Sequence, residues 1–422
     1  MIEILKKIYH KFSNFRLVQW MGHLYTNGSL IGNYKAYLRL KKLATKPKHG
    51  GRIKVVFLGQ SAPVWNKLQT VFERMLEDER FETYILAVPE SIADVNMNSY
   101  NYFYELYGES VINGYVDGTW YELESLKPDY VFYQRPYDQY LPALYRSDVV
   151  SKYAKICHVV YGYQVAKTTE RSVLNKRFFR NVYMYFAENT IYYEFNVNRF
   201  KKSHREKIRK TLNVGYPALE KFVKKKTISD APEKGFNVLW TPRWTEDKEN
   251  GGSNFIHFKD KVLELPQENK DLFLTFRPHP MTFTHFITVG RITQEEVDKY
   301  VECYEKSDRM YYDNGASYEK TFWESDMLLT DVSSVIAEYF LTGKPVVYCE
   351  TGSCPNALLV EMMKVFYVVH TWEEAKERVV ALSRGEDPLK EERQRKIKEL
   401  MGDDFEHTSE RFLEEIYKDY IA

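Results

Sequence analysis

Cysteine is scarce in this chain of 422 residues, with only Cys157, Cys303, Cys349 and Cys354, and these form no C-x-x-C pair and no zinc-ligand spacing. That scarcity argues against a disulfide framework or a zinc site and suits the reduced thiols of a cytosol. Net charge is nearly absent as well: 60 Lys+Arg stand against 59 Asp+Glu, so no overall field draws the chain to nucleic acid. No stretch approaches the roughly 18 to 20 apolar residues that span a bilayer. Leu5 is followed at once by Lys6 and Lys7, so no signal-peptide core develops. Neither G-x-G-x-x-G nor G-x-x-x-x-G-K-[ST] occurs, which removes the dinucleotide fingerprint and the P-loop as supports for oxidoreductase or kinase chemistry. D-x-D is missing too, so the pair of carboxylates that often holds a divalent cation on a diphosphate is not there, and a metal-free neutralisation of phosphate charge is favoured.

What the chain does have is apolar content, 44%, enough for two cores of ordinary domain size. Residues 53–59 (IKVVFLG) form a continuous apolar run ending in glycine, the pattern of a buried parallel strand. Helical periodicity over 64–76 and apolar runs at 84–88, 130–133 and 156–161 continue an alternation of strand and helix. The segment 224–235 (KKKTISDAPEKG) is charged, holds Pro and Gly and has no period, so it reads as a linker. Behind it the alternation resumes, with strands expected at 236–240, 272–276, 327–330, 345–348 and 365–369. The expected organisation is a basic amphipathic leader (1–50), a first Rossmann-like domain (51–223), a linker (224–235), a second Rossmann-like domain (236–385) and C-terminal helices (386–422) that brace the first domain. Two such halves make a cleft at the carboxyl ends of their strands, where ligands bind.

Charge is distributed unevenly. Residues 1–52 carry eleven bases against the single acid Glu3, interleaved with apolar residues from Ile2 to Met21, which fits a helix lying on anionic lipid headgroups. The competing reading is a helix packed on the domain with a solvated basic face. A second cluster, 199–210, holds seven bases and the acid Glu206, as a surface helix or a polyanion-facing patch would.

Two constellations carry candidate chemistry. Arg277-Pro278-His279-Pro280 directly follows the strand 272–276, so prolines stiffen a turn that holds a cation and an imidazole over the cleft. An ordinary tight turn with a surface arginine is the plainer reading. Thr330-Asp331-Val332-Ser333-Ser334 leads from a strand into a helix containing Glu338, with Asp331 or Ser333 able to cap that helix, its free N–H groups and hydroxyls available to a diphosphate, and Glu338 able to bind a ribose. A plain N-cap is the alternative there.

In this order, R-P-H-P, then T-D-x-S-S-x-x-x-E-Y, then Lys344-Pro345-Val346, the chain resembles the CDP-glycerol glycerophosphotransferases of teichoic-acid type. Thr241-Pro242-Arg243-Trp244 and Gly215-Tyr216-Pro217 add to the resemblance, which is specific through 213–350. It implies a GT-B architecture and a donor site made of Pro242, Arg243, Arg277, His279, Ser333, Ser334 and Glu338, with Arg277 and His279 meeting the phosphates in place of a metal. The family's His-Gly-Thr turn, whose histidine activates the acceptor hydroxyl, corresponds here to 157–163 (CHVVYGY): aligned on Gly162, Tyr161 replaces the histidine; aligned on histidine, His158 lies inside the strand. Glu188, Glu194 and Asp138 are further candidates for the base, and Arg135 and Asp138 stand at a strand end suited to acceptor recognition.

The expectation is a cytoplasmic enzyme, peripheral at the inner face of the membrane, that moves a polyol phosphate from a CDP-polyol to a membrane-linked glycan or polyol-phosphate acceptor without metal or other cofactor and releases CMP. A GT-B glycosyltransferase using a nucleotide sugar in capsule or exopolysaccharide synthesis and a non-catalytic nucleotide- or glycan-binding scaffold are the alternatives.

Overall fold

The computed structural model describes residues 30–422 except 48–49, 92–93, 161, 168–173, 225–234, 248–251, 316–317, 334, 353 and 403. The expected leader up to residue 29, nearly all of the expected linker, Tyr161 and Ser334 lie outside the described residues.

A helix, α1 (Leu30–Ala44), precedes a seven-stranded parallel sheet. In chain order its elements are β1 (Ile53–Gly59), α2 (Asn66–Glu77), β2 (Phe81–Ala87), β3 (Val111–Asn113), β4 (Tyr130–Tyr133), β5 (Lys155–Val159), β6 (Val182–Phe186), α3 (Thr190–Arg199) and β7 (Lys210–Leu212). The spatial order is β7-β6-β5-β4-β1-β2-β3. After α4 (Ala218–Lys224) the second, six-stranded parallel sheet begins, with β8 (Phe236–Thr241), β9 (Leu272–Phe276), α5 (Gln294–Glu305), β10 (Met310–Tyr312), α6 (Glu319–Glu324) and β11 (Met327–Thr330). It continues through α7 (Val335–Phe340), β12 (Val346–Cys349), α8 (Ala357–Met363), β13 (Tyr367–Val369) and α9 (Trp372–Ser383), in the order β10-β9-β8-β11-β12-β13. The helices α10 (Lys390–Met401) and α11 (Thr408–Ile421) close the chain.

Both sheets therefore grow outward from their first strand in one direction and then reverse, between β1 and β4 in the first half and between β8 and β11 in the second. Each reversal opens a crevice at the strands' carboxyl ends. The central strands are apolar along their length because helices cover both faces: Val55, Val56, Phe57 and Leu58 of β1 are all fully buried. Thr330 Oγ1 donates to Thr241 O (2.6 Å), tying β8 to β11 at the second crevice.

The halves share one apolar cluster, which runs from Phe57 and Phe72 through Phe222 and Trp323 to Ile336 and Leu358. Trp323 Nε1 donates to Phe222 O (2.8 Å). Residues 165–167 also meet 354–356: Asn356 N donates to Val165 O (2.9 Å) and Lys167 N to Cys354 O (3.3 Å). α11 packs on the first half, with Phe412 stacked on Phe186 (3.8 Å). Its Asp419 accepts from the phenols of Tyr130 (2.7 Å) and Tyr183 (2.9 Å) and pairs with Lys155 and Lys210 (2.7 Å each). In α10 the guanidinium of Arg393, fully buried, is held by Asp387 and donates through Nε to Gly343 O (2.9 Å). Gly343 has φ +75°, a backbone conformation that favours glycine.

Candidate active site

On the second half, three strand ends bring polar groups to the crevice. Arg243 stands two residues past β8, Arg277 directly past β9 and Asp331 directly past β11. Asp331 is buried and spends both oxygens on the loop after β8, accepting from Arg243 N (2.6 Å) and Asn254 N (2.8 Å). It therefore anchors that loop and does not cap α7. Burial pushes its carboxyl up to about 7, against the pull of those two N–H groups and the Arg243 charge. Arg243 Nη1 donates to Val332 O (3.2 Å), whereas its Nε is enclosed without a partner among the described residues.

Arg277 is oriented by Asp313, which follows β10: Nη1 pairs with Asp313 Oδ2 (2.6 Å) and Nη2 donates to Gly315 O (2.8 Å). His279 Nδ1 accepts from Met281 N (3.1 Å), which puts the proton of the neutral ring on Nε2. Its ring stacks on Trp244 (5.8 Å, 28° between planes). Burial, then the Arg243 charge, lowers its pKa below 6.5, so near neutral pH it is an uncharged N–H donor.

Ser333 is partly buried before α7, a helix of only six residues and a correspondingly weak dipole. Among the described residues, the Glu338 carboxyl has Oε2 closed off from solvent without a hydrogen-bond partner, and burial pushes it up to about 7. Its charge acts on three phenols, Tyr163 and Tyr216 of the first half and Tyr318 of the second. Lys344 of the K-P-V stretch is structural: its Nζ donates to Phe322 O (3.3 Å), Trp323 O (2.6 Å) and Ser325 O, closing the end of α6.

On the first half, Gln134 bridges β1 and β4, accepting at Oε1 from Gln60 N (2.7 Å) and Ser61 N (2.8 Å). Arg135 beside it is partly buried, and its charge acts on Lys67 of α2. Asp138 accepts from Ser147 N and Ser147 Oγ (2.7 Å each), so both its oxygens hold a local turn. His158 is fully buried, with Nδ1 on Tyr133 O (3.0 Å) and its ring packed against Phe178 and Phe179 (5.1 and 5.5 Å). Burial and the Lys67 charge hold it well below 6.5, and its strand position turns it into the core rather than the cleft. Glu194 lies exposed on α3, whereas Glu188, just past β6, is 1% exposed. Gly162 has φ +100°, a conformation that favours glycine, and its backbone hydrogen-bonds Tyr216.

Residues 160–351, the stretch that contains the second-half site, match the family model for CDP-glycerol:poly(glycerophosphate) glycerophosphotransferase. The match spans a little under half of the chain. No curated protein matches in sequence. Among solved structures, the UDP-GlcNAc 2-epimerase from Neisseria meningitidis bound to UDP-GlcNAc is similar at 12% identity and a TM-score of 0.59, over 87% of this chain and 100% of that one. A putative UDP-N-acetylglucosamine 2-epimerase from Listeria monocytogenes is similar at 12% identity and a TM-score of 0.57, over 88% and 97%. A substituted form of the wall teichoic acid polymerase TagF with CDPG is similar at 14% identity and a TM-score of 0.52, over 96% and 99%. At such identities the likeness concerns the fold, which is of GT-B type.

Arg243, Arg277 and His279 thus stand at adjacent strand ends, and Glu338 faces tyrosines of the other half. His158 and Asp138 are engaged elsewhere. Sequence reasoning missed Asp313, although an acid directly after a short strand is at the right address to orient an arginine. It also missed Lys67, whose signal is a lysine on the apolar α2 face of Val71 and Met75, and the tyrosines at 163 and 318. Among the described residues, no group of three or more His, Cys, Asp or Glu could hold a metal ion.

Proposed function

We propose that the chain transfers a polyol phosphate from a CDP-polyol such as CDP-glycerol to a hydroxyl of a teichoic-acid-like or other envelope-glycan acceptor, releasing CMP. The observation that carries this reading is the coincidence of the family match with the crevice where Arg243, Arg277 and His279 converge. An acceptor oxygen attacks the β-phosphorus, a bond to that phosphorus forms, and the bond to the CMP oxygen breaks. Such a transfer asks the protein chiefly for positioning and charge stabilisation.

The second half (236–385) holds the nucleotide donor and the first half (51–223) the acceptor. The guanidinium of Arg277, aimed by Asp313, and the Nε2–H of His279 face the diphosphate together with Arg243; Pro242 stiffens the turn, and Ser333 and Ser334 add hydroxyls. Glu338 binds a hydroxyl of the donor. The donor's phosphate charge is met by these cations and donors without a metal ion.

The enzyme works at the surface of an anionic membrane. Supporting this, α1 buries Ala36 and Leu40 but exposes Ile31, Tyr34 and Leu38 (68%, 62% and 46%) beside the exposed Lys35, Lys41 and Lys42. Thermal shift with CDP, CMP and CDP-glycerol against the corresponding UDP and GDP compounds tests the donor. Stabilisation by the cytidine series alone supports the proposal, and stabilisation by UDP-sugars alone selects a glycosyltransferase.

A further inference from the structure

Among the described residues, the polar atoms that are shielded from solvent without a hydrogen-bond partner include three contributed by the two halves: Tyr163 Oη, Glu188 Oε1 and Glu338 Oε2. Buried polar atoms are normally satisfied, and one left open costs about 1–3 kcal/mol, so three such atoms in one neighbourhood call for a ligand that satisfies them. The neighbourhood is set by the fold. β6 ends at Phe186 and places Glu188 at the carboxyl edge of the first sheet, where the Tyr185 phenol fixes Glu188 Oε2 at 2.9 Å and leaves Oε1 open. β5 ends at Val159, and the chain then runs through Gly162 to Tyr163, whose ring meets Tyr216 edge-on at 5.2 Å. Lys67 enters from the first turn of α2 and donates to Val159 O at 2.6 Å. The segment carrying Tyr163 is fastened to the second half through Asn356, whose Nδ2 donates to Gln164 O (2.5 Å) and to Tyr192 Oη (2.7 Å). The open atoms thus lie where the two halves meet, at the carboxyl edge of the acceptor-side sheet.

We infer that Tyr163 and Glu188 form the site for the attacking hydroxyl of the acceptor, with Tyr163 Oη orienting that hydroxyl and Glu188 Oε1 taking its proton as the general base. This rests on the proposed phosphoryl transfer and completes it: as the acceptor oxygen bonds to the β-phosphorus, its proton passes to Glu188, and CMP leaves with the electron pair of the broken P–O bond. The ligand class is the polyol or sugar hydroxyl that ends a polyol-phosphate or glycan chain.

Chemistry favours Glu188 over its neighbours. Its carboxyl is pushed up to about 7 by burial, against the opposing effects of its own backbone N–H, the Tyr185 phenol and the Lys67 charge, so it is a base matched to neutral pH. Burial raises the Tyr163 phenol well above 10, with Glu338 and Glu188 adding to the shift, so that group remains protonated and acts by hydrogen bonding. His158, on the same sheet edge, is turned into the core. The titratable groups facing Glu188 are Lys67 from α2, Tyr185 from β6, Tyr163 from the loop after β5, and Tyr216 from the segment before α4, with Arg135 acting on Lys67.

Glu188→Gln and Tyr163→Phe preserve shape, and each is assayed in two ways on the full chain. In CMP release from CDP-glycerol with a short synthetic poly(glycerophosphate) acceptor, Glu188→Gln should lower kcat by about 10²–10⁴, the usual contribution of a general base. It should also remove the acid limb near pH 7 from the kcat/KM profile, which a merely structural role would leave in place. In calorimetric titration without donor, both variants should bind the same oligomer at least tenfold more weakly and bind CDP as the wild type does. Wild-type turnover in Glu188→Gln, a retained acid limb, or unchanged oligomer binding in both variants overturns the assignment. If the wild type binds the oligomer and the variants lose it while neither binds any cytidine nucleotide, the acceptor site stands and the donor reading fails.

Discussion

His279→Ala separates catalysis from folding more cleanly than any other substitution at the second-half crevice. Among the described residues, the partly enclosed imidazole accepts one hydrogen bond, from Met281 N, and stacks on Trp244. Losing these costs folding about 0.5–1.5 kcal/mol, the worth of one ordinary hydrogen bond. The loss in the transition state is larger. If Nε2–H meets charge that builds on the phosphoryl oxygens, removing one preorganised donor lowers turnover about 10²–10³-fold, or about 2.7–4 kcal/mol of barrier. Arg277→Ala would not give so clear an answer, because it strands Asp313, 5% exposed, without its cation, and breaking a buried pair costs about 3–5 kcal/mol in folding alone. The assay is CMP release at saturating CDP-glycerol, with thermal melts in parallel. Turnover within a few-fold of wild type and an unchanged melting temperature would refute the role. The pH dependence adds a second constraint. The folded pKa of His279 lies below the unfolded value of 6.5, so the ring stays neutral above pH 6.5 and its contribution to stability is lost only as pH falls from about 6.5 towards the folded value.

The carboxyl of Glu338 titrates at about 7 in the fold against 4.5 as its ordinary value, so the folded state holds its proton more tightly and stability falls as pH rises from about 4.5 towards 7; Glu338→Gln should flatten that slope in melts across the range. Asp387→Asn leaves the buried Arg393 without its counter-ion and should destabilise the chain by about 3–5 kcal/mol in urea unfolding, with no direct effect on the chemistry of whatever remains folded. Activity should persist in excess EDTA; complete loss, rescued by Mg2+ or Mn2+, rejects a metal-free mechanism. Sedimentation with vesicles should need anionic lipid, weaken as salt rises and fall sharply when residues 1–47 are deleted, whereas equal binding to neutral vesicles would leave the basic leader and α1 as packing elements.

The strands most legible in the sequence were those buried on both faces. β1, β4, β8, β9 and β11 are mainly apolar runs, broken inside only by Lys54, Asn237 and Thr275, and they fall within a residue or two of their expected bounds. β7 and β10, three residues each, are too short to carry a period, and β6 (VYMYF) is an apolar run that periodicity alone cannot tell from a helix. The R-P-H-P turn was legible because proline fixes its backbone. The partners of its arginine and the fate of Asp331 were not, since Asp313 lies 36 residues from Arg277, and Asp331 reaches back 88 residues to Arg243. For the same reason the tyrosines around Glu338 carry no local signature. Tyr163, Tyr216 and Tyr318 meet only when the two halves close on each other.

The donor decides the account. Incubating the purified chain with CDP-glycerol and a poly(glycerophosphate) or lipid-linked glycan acceptor should release CMP in step with growth of the acceptor by one glycerol phosphate per CMP, a stoichiometry readable by mass spectrometry. If no cytidine diphosphate-linked polyol yields CMP, and a UDP-sugar instead extends the acceptor by a sugar without phosphate, the chain is a glycosyltransferase and the proposed phosphoryl transfer is wrong.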